Sequence, residues 1–138
     1  MKIMGMDIGD KRIGIALSDK GKKISIPYSI IDNDDRFGSG LAAIIDKENV
    51  EKIVIGVPYT LKGELGSQAK KILRFVRDNI LAMGMEVVYQ DERFTTKVPL
   101  NTSVDRKKIK AQKDKFSAAL ILQSYLDRKA SIEKAANE

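Results

Sequence analysis

Apolar and polar positions fall into three short runs near the N-terminus, and then the period changes. Residues 3–7 form an apolar run that ends on an acid, Asp7. The Gly9-Asp10 pair suits a tight turn, and Ile13-Gly14-Ile15-Ala16-Leu17 follows, which predicts strand, turn, strand. Lys20-Gly21-Lys22 is another turn. Ile24, Ile26, Tyr28 and Ile30 then alternate with polar residues, the period of a half-exposed strand, and Pro27 inside the run points to a sheet edge. The first third therefore predicts a three-stranded antiparallel meander.

Helical spacing begins with Phe37, Leu41, Ile44 and Ile45. Ile53-Val54-Ile55-Gly56-Val57 is a continuous apolar strand, as expected where both faces are covered. Ala69, Ile72, Leu73, Val76 and Ile80 describe the clearest amphipathic helix, ended by Gly84. Residues 85–89 form another strand, closing with Gln90-Asp91-Glu92. A last helix is expected over about 113–130, with Phe116, Ala119, Leu120, Leu122 and Leu126 inward. Between them, residues 98–112 carry Arg106, Lys107, Lys108 and Lys110 among few apolar residues and read as a mobile basic loop. The order βββαβαβα implies an α/β fold: one five-stranded mixed sheet, three strands antiparallel, with helices on both faces. It predicts a single domain over residues 1–130 and a frayed tail over 131–138.

Composition narrows the chemistry. The 138 residues carry a formal charge of +6, which favours a polyanionic partner as a weak prior. There is no Cys, His or Trp, so disulfides, Cys/His zinc sites, thiol nucleophiles and every histidine acid or base are excluded. No apolar run approaches a membrane span and no signal peptide is legible, so the reading is a cytoplasmic protein without a membrane partner.

Three acids could carry the chemistry that remains. Asp7 ends a buried strand, where a carboxylate is costly unless solvated, paired or metal-bound; the bland alternative is a hairpin-turn residue. Glu92 ends a second strand, with the alternative of a charged strand end leading into a helix capped by Thr95 or Thr96. Asp114 stands at the start of the last helix, where the dipole alone would favour an acid. Yet it precedes Ala118 by four residues and Leu122 by eight, which places it on the sheet-facing side. Two strand-end acids and one inward helix acid would converge at one edge of the sheet. An all-oxygen cluster selects Mg²⁺ or Mn²⁺, the ions of two-metal phosphodiester hydrolysis.

At these residues a family becomes recognisable. Asp7-Ile8-Gly9 with Lys11-Arg12-Ile13-Gly14, then Val54-Ile55-Gly56-Val57-Pro58, then Asp91-Glu92-Arg93 with Thr95-Thr96, then Asp114 with Ala118-Ala119, resemble in order the blocks of the YqgF (RuvX) family. The resemblance spans residues 3–126. It implies a ribonuclease H-like fold related to the RuvC resolvase. It also implies an endonuclease that matures the 5′ end of pre-16S rRNA, or a Holliday junction resolvase, with Asp7, Glu92 and Asp114 as its acids. In RuvC-like enzymes a glutamate closes the strand beside the first one. Here that strand ends in Gly56-Val57-Pro58, so Glu92 must reach across one strand position. The stretch between Thr96 and Asp114 is shorter than in the family and is interrupted by Val98-Pro99.

The favoured reading is a metal-dependent nuclease on structured RNA (pre-16S rRNA) or branched DNA. Lys11, Arg12, Arg93, Lys107, Lys108 and Lys110 would contact phosphates around the acids, although a charged loop is also a simple solubility device. Arg93 is the strongest single candidate, since its fork can hold a phosphate beside Glu92. Few aromatics argue against a single-strand stacking platform. Two other classes compete. A nucleotide-binding enzyme of the actin and sugar-kinase type also begins with Asp-x-Gly on a hairpin, but it needs two such domains or a homodimer. A non-catalytic RNA- or ribosome-binding protein would keep the basic residues and not need the acids.

Overall fold

The computed structural model describes residues 1–94 and 106–136, with side chains described up to Arg93 and from Phe116 on. Strands β1 (Lys2–Ile8), β2 (Arg12–Ser18) and β3 (Ser25–Asp32) form the expected antiparallel meander. Then follow α1 (Phe37–Glu48), β4 (Val50–Val57), α2 (Ser67–Asn79), β5 (Glu86–Asp91) and α3 (Arg106–Ala136). The sheet runs β3-β2-β1-β4-β5, with β4 parallel to both β1 and β5.

Strand alternation deals residues to two separate cores. Met4, Met6 and Ile8 of β1, Ile13, Ile15 and Leu17 of β2, and Ile53 and Ile55 of β4 pack with Phe37 and Leu41 of α1 and Ile72 and Val76 of α2. The intervening positions Ile3, Ala16 and Val54 pack instead against Ala118, Ala119, Ile121, Leu122 and Leu126 of α3. So α1 and α2 cover one face and α3 covers the other. Each large aliphatic side chain so buried contributes about 1.5–3 kcal/mol.

Several elements differ from the expectation. In β3 the ladder slips between Ile15 and Ala16, whose partners are Ser29 and Pro27, leaving Tyr28 as an extra residue. The bulge at an edge-strand proline breaks the even alternation: Tyr28 and Ile31 pack on the first core, while Ile24 and Ile26 are exposed. Helix α2 stops at Asn79 rather than Gly84. A 3₁₀ turn over Leu81–Met83 follows, and Gly84 takes a left-handed φ of 81° that suits glycine.

The largest correction concerns α3. It starts at Arg106, not near 113, so Lys107, Lys108 and Lys110 lie on a helix instead of the expected loop, and it runs to Ala136, through the expected frayed tail. Helix propensity explains both extensions, because Lys, Arg, Gln, Ala and Glu favour the helix without any apolar stripe to reveal it. Residues 98–105 of the expected loop lie outside the described residues. Among the described residues no helix is long and apolar enough to cross a membrane.

Candidate active site

Three parallel strands, β1, β4 and β5, bring their C-terminal ends to one edge of the sheet, where Asp7 and Glu92 are found. On β1 the alternation that sends Met4, Met6 and Ile8 to the α1–α2 face sends Ile3, Gly5 and Asp7 to the α3 face. Asp7 is half-buried. Its partner on β2 is Gly14. On the other side Met6 pairs with Ile55, so Asp7 comes level with Gly56 of β4. Asp7 thus stands between two residues without side chains.

Gly56 makes room for Glu92. A Cβ on Gly56 would lie 2.8 Å from Glu92 Oε1 and 2.4 Å from Ile121 Cδ1. Strand β5 ends at Asp91, one residue earlier than expected, and Glu92 opens a 3₁₀ turn over Glu92–Phe94. That turn lets its carboxylate lean back over β4 toward β1. The Glu92 carboxylate thus lies over Gly56, the β4 residue level with Asp7.

Gly5 seats the helix. A Cβ there would stand 2.5 Å from Leu122 Cβ and 2.8 Å from the Ala118 carbonyl oxygen. Any larger residue would force α3 off the sheet. Toward its C-terminus, α3 runs back along β1: Lys52, the register partner of Ile3, donates from Nζ to Tyr125 Oη at 3.3 Å. In the other direction position 114 lies four residues before Ala118, a rise of about 6 Å, and Asp7 lies two residues beyond Gly5, about 6.6 Å along a strand. Asp114 lies on the N-terminal side of the contact between Ala118 and Gly5, and its side chain lies outside the described residues. Among the described residues no group of three metal-binding side chains is gathered.

The basic residues fall into two sets. Lys11 and Arg12 belong to the β1–β2 hairpin beside Asp7. Gly9 N–H donates to the Arg12 carbonyl at 3.0 Å, and a Cβ on Gly9 would meet that oxygen at 2.7 Å, so the turn requires glycine. Asn33 straps the turn by donating from Nδ2 to the Gly9 carbonyl and from its backbone N–H to the Lys11 carbonyl, both at 2.9 Å. Arg93 adjoins Glu92, but its fork already grips Asp91, with Nε at 2.9 Å and Nη2 at 2.6 Å from Oδ2. Its guanidinium also lies 5.6 Å from the Tyr59 ring centroid. The hydrogen bond from Arg93 holds the Asp91 carboxyl below its ordinary range, against the opposing effect of burial. A phosphate would meet an arginine pre-positioned by a carboxylate. The side chains of Lys107, Lys108 and Lys110 lie outside the described residues.

Sequence reasoning did not single out Gly56, Asp91 or Gln90 as parts of this site. A glycine within a β-branched run does signal close approach of another group, so Gly56 was detectable.

Residues 1–128 match the RuvX family, described as Holliday junction resolvase. The chain belongs to the RuvX family. A relative from Sulfurihydrogenibium sp. (strain YO3AOP1) named "Putative pre-16S rRNA nuclease" is 41% identical, covering 99% of this chain and 97% of that one. Another of the same name, from Syntrophus aciditrophicus (strain SB), is 40% identical over 92% of this chain and 89% of its own. Among solved structures, Thermus thermophilus RuvC in complex with a Holliday junction substrate superposes with a TM-score of 0.56 at 12% identity, covering 94% of this chain and 96% of that one. At that identity the likeness establishes the fold alone. It is the ribonuclease H-like fold that the resemblance implied, and this RuvX chain builds it with five strands and helices on both faces.

Proposed function

We propose that this protein is a metal-dependent endonuclease that hydrolyses phosphodiester bonds, and that its substrate is the 5′ region of pre-16S rRNA. The observation that carries the reading is the carboxylate of Glu92 leaning over Gly56 toward the position of Asp7, on the face where Gly5 seats α3. The space that a side chain on Gly56 would take is shared by Ile121 Cδ1 and the Glu92 carboxylate. The donors are all oxygens in a chain without His or Cys, which fits Mg²⁺ or Mn²⁺ and excludes softer ions. Asp7, Glu92 and Asp114 would hold the metal; when bound it supplies an activated water and charge stabilisation at the leaving oxygen. Lys11, Arg12 and Arg93 would orient the scissile phosphate at the sheet edge, and Lys107, Lys108 and Lys110 would follow the backbone beyond it. The name shared by the relatives supports pre-16S rRNA as the substrate; the family's description supports branched DNA as the alternative.

The test is cleavage of a pre-16S rRNA fragment and of a four-way DNA junction, each with Mg²⁺ or Mn²⁺, by wild type and Asp7→Asn. The expected result is cleavage of the RNA by wild type, lost in Asp7→Asn while RNA binding persists. Junction cleavage without RNA cleavage would reassign the substrate. Full activity in Asp7→Asn would remove the mechanism.

A further inference from the structure

Gln90 is a buried polar residue with an unmet donor. It lies on β5 and is 1% exposed, and among the described residues its Nε2 has no hydrogen-bond partner. A buried donor left without a partner carries a desolvation cost that an apolar residue of the same shape would not. Unsatisfied buried donors are uncommon in native proteins, and one beside a candidate site calls for a partner that arrives later.

Its position names that partner. The register partner of Gln90 on β4 is Gly56. Gly56 is the residue over which Glu92 Oε1 leans. Neighbouring strands are about 4.8 Å apart, and Gln90 and Glu92 are two residues apart on one chain. The amide and the carboxylate therefore flank the same glycine, within a side-chain rotation of each other. Resting on the metal reading above, we propose that Gln90 is a positioning residue: its Nε2 donates to the Glu92 carboxylate when the site is loaded, fixing which oxygen faces the metal. Amide donors that hold a ligand carboxylate in this manner tune metal affinity without touching the ion. The arrangement also explains why the donor is idle otherwise.

The test is Mn²⁺ binding to the full chain, measured by electron paramagnetic resonance, for wild type, Gln90→Met, Asp7→Asn and Glu92→Gln, with Tm recorded for each. Methionine keeps the length of glutamine and removes the donor. The expected result is a Kd for Mn²⁺ weaker by about tenfold or more in Gln90→Met, with a Tm equal to or above wild type. Loss of a purely structural residue would lower Tm and leave the Kd unchanged. Unchanged Mn²⁺ affinity in Gln90→Met, with affinity lost in Asp7→Asn and Glu92→Gln, overturns the role of Gln90 and leaves the metal reading standing. A loss of affinity that appears only together with a lower Tm also overturns it. Mn²⁺ binding indifferent to all three substitutions overturns the metal reading itself, and the inference with it.

Discussion

The two faces of the sheet are built from the same strands to opposite ends. Toward α1 and α2, β1 presents Met4, Met6 and Ile8, and the facing helices answer with Phe37, Leu41, Ile72 and Val76. Toward α3 it presents Ile3, Gly5 and Asp7, and the helix answers with Ala118 and Leu122. One face spends its positions on apolar volume. The other gives up volume, through Gly5, Gly14 and Gly56, so that a helix can come close and carboxylates can stand in the gap. On the proposed reading the chemistry sits on the α3 face alone, which the two-residue period of a strand separates from the larger core although it carries a second core of its own.

The contrast can be broken from either side. Phe37 is 2% exposed, with its ring 5.1 Å from that of Phe75. Phe37→Ala should cost about 3–5 kcal/mol, read by urea denaturation, while the folded fraction keeps its Mn²⁺ affinity. On the other face, Gly5→Ala forces a Cβ against the Ala118 backbone and should cost about 1–3 kcal/mol. Its effect on cleavage should exceed its effect on stability, since the shift falls on the turn that follows Asp114; equal losses in both assays would deny the seating role. Smaller still, replacing Lys107, Lys108 and Lys110 together by Ala should reduce the slope of log affinity against log salt by roughly two. An unchanged slope in RNA-binding titrations would leave the first turns of α3 to solubility.

The weakest effect is acid titration away from the site. Asp19 is held below its ordinary value of 3.8 by backbone N–H donors of Ile24 and Lys23. Glu48 is held below 4.5 by its hydrogen bond from Lys2. Both groups have folded values below their unfolded ones, so their contribution is present above about pH 4.5 and lost as the pH falls through the folded values. Lys2→Met should flatten the acid limb of a stability–pH curve, and an unaltered limb would count against the pairing.

Most of the fold was legible because burial leaves a periodic trace. The runs at 3–7, 13–17 and 53–57 and the stripe from Ala69 to Ile80 all reappear as elements of the core. What escaped lacks such a trace. The first and last turns of α3 are carried by propensity, and a reader of apolar periodicity places a loop or a tail there. The bulge at Tyr28 is a property of pairing, which a single strand cannot display. Asp7 and Glu92 were legible as strand-end acids. The glycine over which Glu92 leans, and the idle amide of Gln90 beside it, depend on neighbours brought in by strand order.

Because the sheet is laid down first and α3 last, synthesis itself orders the assembly of the site. All five strands and both helices of the first core precede α3 in the chain. The face bearing Gly5, Gly14 and Gly56 remains bare until Ala118 and Leu122 are made. On the proposed reading, the site is incomplete until α3 docks, because Asp114 belongs to that helix.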